Sequence, residues 1–256
     1  MKKQLYFYFY TRRDTLFSEV NQIHFKCLEY YRHVFDEAFI CISIDDINDE
    51  ELIKDTQTIF FDIFKGKTLS FKVMQNNQQL CESTFFHEEI LDNLDKLDLV
   101  FFAHGKGVTN ITDPRCDRES LLHWIVGLYY GSLNNYYCAI NKITRDTYFT
   151  CGSFYTKRYD MRLYSGTFYW MNTKRINTYV KRNNIDLPKL SNRYEVEYFP
   201  YNINMENEMC SVNNKCLVFD IPNYVGDFWV DTKEYCKILG YNTKEFYDLY
   251  DFVVKK

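Results

Sequence analysis

The order of apolar and polar positions over the first hundred residues describes a strand–helix repeat. Leu5–Tyr10 is an aromatic, β-prone run and predicts a first strand. Between Ser18 and Phe35, apolar groups at Val20, Ile23, Leu28, Tyr31 and Phe35 recur close to helical spacing, with Ser18 placed to cap the helix. Ala38–Ile44 is a continuous apolar run ending in Asp45-Asp46, as a strand covered on both faces would be. Glu50–Phe64 predicts a second helix broken at Gly66, and Leu69–Met74 alternates as a third strand. Ser83–Leu97 predicts a third helix with an imperfect cap, and Asp98–Ala103 a strand that stops at His104-Gly105-Lys106-Gly107. Four such alternations predict an α/β fold, a mainly parallel sheet with helices on both faces. Sheets of this kind bind ligands at the carboxyl ends of their strands. Thr11–Arg13, Asp45-Asp46, Asn76-Asn77 and His104–Lys106 therefore share one rim.

The remainder is less regular. Asp117–Asn141 predicts a helix, with Leu121, Leu122, Ile125, Leu128 and Tyr129 on one side. Leu163–Met171 reads as a dense strand with a glycine in its middle, where another backbone or a ligand has to come close for the strand to tolerate it. A short basic helix over Thr173–Asn183, a loop at Pro188, a strand at Lys215–Asp220 and a last helix over Thr243–Val254 complete the pattern. With no internal repeat, low-complexity segment or linker, residues 1–256 read as a single domain.

Composition narrows the function classes. Aromatic residues make up 19% of the 256, mostly Tyr and Phe, which supplies a large core and argues against disorder. The tyrosines either offer half-polar faces to sugar rings and nucleobases or reflect compositional bias alone. A net charge of −4 with both signs interspersed leaves no basic face for nucleic acid, so an acidic ligand needs a local pocket. Nine cysteines at irregular spacings, without a CxxC, argue against a disulfide framework or a zinc site and fit a reducing cytoplasm. The apolar start is cut short by Thr11-Arg12-Arg13-Asp14, and no run approaches the ~18 apolar residues of a spanning helix. Membrane contact is expected to be peripheral at most.

Neither a GxGxxG nor a P-loop is present. At the end of the fourth strand, His104-Gly105-Lys106-Gly107 is either a tight turn with a solvated lysine or a diphosphate cradle, its glycines letting the backbone approach an anion. The Asp45-Asp46 pair either hydrogen-bonds a nucleobase or ribose or is a solvated turn. No GxSxG or local cysteine signature supports a hydrolase. His24, His33 and His87 have no HxxxH partner, and His123-Trp124 reads as core packing.

Taken in order, Glu82, His104-x-Lys106-Gly107, Trp124, the run Tyr164-Ser165-Gly166-Thr167-Phe168-Tyr169-Trp170 and Arg193-x-x-x-Glu197 resemble the GT-A-like glycosyltransferases of bacterial surface and capsular polysaccharide loci, relatives of the rhamnan synthesis proteins. The resemblance spans roughly Leu5 to Tyr201. It implies a nucleotide-sugar donor and a glycan or lipid-linked glycan acceptor, with 1–116 as the donor-binding half and 117–256 as the acceptor side. His104 and Lys106 would face the donor diphosphate, and Glu82 the donor sugar or ribose. Ser165, Gly166 and Thr167 would line the cleft floor, with Phe168 to Trp170, Trp170 among them, packing behind or beside the acceptor. Glu197 would be the general base of an inverting transfer, Arg193 orienting it or binding an anion; Glu195 is the rival carboxylate. His104-x-Lys106 stands where metal-dependent members place an Asp-x-Asp, so no cofactor, or only a weak divalent-metal dependence, is implied. Thr167 replaces the family's usual Asn and Gly105 a hydroxyl residue, which opens the alternative of a non-catalytic carbohydrate- or nucleotide-binding subunit.

Overall fold

The computed structural model describes residues 1–80, 82–105, 117–158, 161–164, 166–203, 209–211, 217–219, 236–237 and 239–255, with backbone alone at 156–158, 161 and 217–219. Strand β1 (Lys3–Tyr10) lies between β2 (Glu37–Ile44) and β4 (Leu99–His104), with β3 (Thr68–Gln75) beyond β2, all four parallel. Helices α1 (Glu19–Tyr31), α2 (Glu50–Ile63) and α3 (Glu82–Glu89) connect them. The near-continuous aromatic run of β1 follows from burial on both faces. Leu5, Phe7 and Phe9 enter the cluster that includes α1 and α2, while Tyr6 and Tyr8 enter the one that includes α3. Ser18 and Asp49 cap α1 and α2 by accepting the Asn21 and Leu52 N–H groups, and Gly66 leaves α2 in the left-handed region at φ 82°.

Three expected elements come out differently. The third helix stops at Glu89 rather than Leu97, where the Asn93 amide donates to the Glu88 carbonyl and satisfies a terminal acceptor from outside the helix. The helix expected over Asp117–Asn141 is divided into α4 (Arg118–Tyr129), a π-helical turn at Tyr130–Asn134 and α5 (Tyr136–Arg145). That turn frees the Ser132 carbonyl to accept the Trp170 indole N–H at 3.1 Å. The strand expected over Leu163–Met171 is two strands in different sheets. Met161–Tyr164 pairs with Tyr155–Arg158, which also pairs with Leu217–Phe219, forming a three-stranded sheet. Tyr169–Asn172 joins the main sheet between β4 and Thr150–Gly152. We number these strands in chain order: β5 (Thr150–Gly152), β6 (Tyr155–Arg158), β7 (Met161–Tyr164), β8 (Tyr169–Asn172), β9 (Met209–Ser211) and β10 (Leu217–Phe219).

The seven-stranded sheet has the order β3-β2-β1-β4-β8-β5-β9. Only β8 runs against the others, pairing antiparallel with β4 and β5, so the sheet is mixed and mainly parallel and is flanked by helices. Reversal of β8 decides what lies at the rim. Phe102 pairs with Tyr169, so the turn that enters β8 is delivered to the carboxyl end of β4, beside His104. The helix α6 (Thr173–Arg182), capped by Asn172, then leaves from the opposite edge. A 3-10 turn at Arg193–Val196, a short α7 (Phe199–Asn202) and α8 (Lys244–Val254), capped by Thr243, follow. Among the described residues no helix is long and apolar enough to cross a membrane.

Candidate functional site

His104 ends β4 and Glu82 opens α3; both are buried, and the carboxylate Oε1 lies 3.0 Å from the imidazole Nδ1. That is contact distance for opposite charges, though the two are not aligned as a full hydrogen bond. The His104 ring lies nearly perpendicular to that of Phe168 in the turn that enters β8, with ring centres 6.3 Å apart.

That turn has an unusual backbone. Gly166 sits at φ 92° and Thr167 at φ 61°, and the Thr167 N–H donates to the Tyr164 carbonyl at 3.1 Å. Glycine accepts this region freely; a β-branched threonine does not. A Cβ on Gly166 would stand 3.0 Å from Leu128 and 3.3 Å from Trp124, so α4 packs directly beneath the turn. Thr167 is fully buried, and its hydroxyl has no hydrogen-bond partner.

Glu197 closes the turn from the other side. Its backbone carbonyl accepts the Tyr164 N–H at 3.0 Å, and its carboxylate Oε1 accepts the Gly166 N–H at 3.1 Å. Glu195 does not compete for this place. On the 3-10 turn the two carboxylates diverge, and Glu195 accepts from the Ser191 N–H, the Ser191 hydroxyl and the Asn192 amide. The segment is held on α3 and the loop before it: the Arg193 N–H donates to Gln79 O at 2.9 Å and the Ser83 hydroxyl to Asn192 O at 2.7 Å. The Arg193 guanidinium lies over the Tyr194 ring. Burial pushes the Tyr169 phenol well above the ordinary tyrosine range, and the Glu197 charge adds to it; its hydroxyl donates to Val196 O at 2.9 Å. Tyr164 is shifted the same way, first by burial and then by the Cys210 and Cys151 thiols.

Along the rim, Asp45 is exposed but organised. Tyr10 Oη lies 2.9 and 3.1 Å from its two oxygens, and the Asn76 amide donates at 3.0 Å. Burial first, then the hydrogen bond to Asp45, pushes the Tyr10 phenol up to about 12. Asp46 instead holds its own turn, accepting the Asn48 N–H at 2.9 Å. Tyr8 on the same face donates to Ser43 Oγ at 2.8 Å. The Tyr10–Asp45–Asn76 group was not foreseen as a unit. Its signal was available: Tyr6, Tyr8 and Tyr10 alternate onto one face of β1, with the last at the strand end.

The residues singled out from sequence thus divide. Glu82, His104, Gly166, Thr167 and Glu197 are connected through contacts among β4, α3 and the turn entering β8, with Asp45 two strands along the same rim. Trp170 is fully buried against Phe35 and Phe101, with its N–H donated to Ser132 O, which leaves it the place behind the turn rather than one beside an acceptor. Its position two residues into β8 turns it onto the face opposite Tyr169. Lys106, Ser165 and the turn at Asp113-Pro114-Arg115 lie outside the described residues. His24 and His123 have structural partners in Tyr129 Oη and Glu119 O, each at 2.9 Å. Among the described residues no group of three His, Cys, Asp or Glu side chains is placed to hold a metal ion. No protein-family model and no curated protein compared with the chain matches it.

Proposed function

We propose that this chain is a GT-A-like glycosyltransferase that moves a sugar from a nucleotide-sugar donor to a glycan or lipid-linked glycan acceptor, in the cytoplasmic assembly of a surface polysaccharide. One observation carries the reading: Glu82, His104, the Gly166–Thr167 turn and Glu197, widely separated in sequence, meet at the carboxyl-end rim of a mixed, mainly parallel sheet. This is where open α/β sheets bind ligands.

The chemistry required is compact. The acceptor oxygen forms a bond to the anomeric carbon as the bond from that carbon to the diphosphate oxygen breaks. The acceptor's proton passes to a base, and the nucleoside diphosphate leaves with its charge stabilised by fixed positive groups and donors. Of the carboxylates and the imidazole at the rim, Glu197 and His104 flank the turn that enters β8 and are the candidate bases. Asp45, preset by Tyr10 and Asn76, is suited to accept hydrogen bonds from a nucleobase or ribose. Lys106, in the segment after β4, is the sequence's candidate cation for the diphosphate. With His104-x-Lys106 in place of an acidic pair, the transfer is expected to need no divalent metal or to depend on one weakly.

The test is the melting temperature of the protein against a panel of nucleoside diphosphates, with and without Mg²⁺ or Mn²⁺. A nucleotide at ~100 times its Kd contributes about 2.7 kcal/mol, a shift of several degrees. A metal-independent shift with one nucleotide, lost in Lys106→Ala, supports the reading. No shift with any of them overturns it.

A further inference from the structure

We infer that Glu82 and His104 act as one carboxylate–imidazole pair, in which Glu82 keeps the His104 proton on Nδ1 and leaves the Nε2 lone pair toward the rim as the proton acceptor of the site. The inference rests on the glycosyl-transfer reading for the identity of the proton, and on geometry alone for the pair. It gives Glu82 a task other than contact with the donor sugar.

Three observations lead to it. First, Glu82 is a buried carboxylate at the first position of α3, and burial of a charge is costly unless another group answers it. His104 Nδ1, itself buried, is 3.0 Å from it. Second, a carboxylate beside one ring nitrogen of a neutral imidazole places the proton there and leaves the other nitrogen bare. Phe168, its ring nearly perpendicular to the imidazole, limits how far the imidazole can turn. Third, His104 is the last residue of β4, at the rim where the strands end. Incomplete alignment of the pair is ordinary for such groups before a substrate is bound.

Glu197 is differently placed. Its Oε1 holds the Gly166 N–H and fixes the turn, so one of its two oxygens already has a structural task. In the transfer, the hydroxyl proton of the acceptor therefore goes to His104 Nε2 as the new bond to the anomeric carbon forms and the diphosphate leaves. Glu82 is the positioning residue, steadying the imidazolium produced.

The pair is tested without any substrate by ¹⁵N NMR of the histidine-labelled protein at a pH where the ring is neutral, with His104 assigned by its disappearance in His104→Gln. A protonated Nδ1 and a bare Nε2 are expected, and in Glu82→Leu the proton should move to Nε2. A wild-type His104 protonated on Nε2, or a spectrum indifferent to Glu82→Leu, overturns the pair. The proton-acceptor role is tested by nucleoside diphosphate release from UDP-, GDP- and dTDP-sugars with water as the acceptor. Glu82→Leu and His104→Gln should each lower the rate ~100-fold or more, with the nucleotide-induced melting shift retained and Glu197→Gln much less affected. A His104→Gln protein that turns over normally while Glu197→Gln is inactive overturns this role and leaves the transferase reading standing. A wild-type protein that neither releases a nucleotide nor is stabilised by one overturns that reading, while the NMR result still decides the pair.

Discussion

Thr167 shows how a single residue can act against its own backbone. A β-branched side chain at φ 61° is strained, and the buried hydroxyl gains no hydrogen bond in return. Asparagine tolerates the left-handed region far better. Thr167→Asn is therefore expected to raise stability by about 1 kcal/mol, read as a higher urea midpoint at unchanged slope. A lower midpoint would mean that the threonine methyl packs better than the strain costs. Trp170 makes the opposite case, a polar atom fully answered. Trp170→Phe would leave the Ser132 carbonyl without its donor inside the core and is expected to cost about 2 kcal/mol by the same measurement.

At the scale of elements, the approach of β5 to β8 governs the site, because it holds the strand whose entering turn reaches His104. Gly152 permits that approach. A Cβ there would stand 2.6 Å from the Phe168 carbonyl oxygen and 2.6 Å from the Tyr169 Cβ, and neither can move without shifting β8. Gly152→Ala should cost about 3 kcal/mol or leave the protein unfolded. If it folds, the Glu82–His104 pair should lose its ordered NMR signature along with the stability, since Phe168 moves with β8. Glycine in the middle of Leu163–Met171 has a related explanation. The sequence pattern marks a place where the chain is crowded; the structure adds that the chain also turns there and changes sheet.

For the whole molecule, two acidic groups join distant parts at the edge of the sheet opposite the rim. Asp98, before β4, is held below the ordinary carboxylate range by the Lys174 ammonium at the start of α6 and the Lys2 N–H before β1. Burial pushes Asp36 up, but the Lys3 N–H and ammonium outweigh it, so it too lies low. Because both folded values lie below the unfolded one, their contribution is complete above the unfolded value, near ~3.9, and is lost as pH falls through the folded values. Urea midpoints should thus decline below about pH 4, and Asp98→Asn should flatten that decline. An unchanged acid limb in Asp98→Asn would show that these ties are not what acid disrupts.

How far this was legible depends on the range of the interactions involved. The first four strands and the first two helices are written in local pattern, since apolar runs, helical spacing and capping groups such as Ser18 act within a few residues. The common rim of Asp45 and His104 follows from them, because strands that all run one way end on one side. Where local pattern met a distant constraint it misled. The helix expected over Asp117–Asn141 is broken where Ser132 serves Trp170, and the strand expected over Leu163–Met171 is split because β8 lies against β4 in the other sheet. Apolar runs and their spacing along the chain determined the first four strands and where they stop. Only the tertiary structure decided that β8 runs backwards, that its turn meets His104, and that Glu82 and Glu197 take different partners there. Those are pairings between residues tens of positions apart, set by packing and burial that no local pattern encodes.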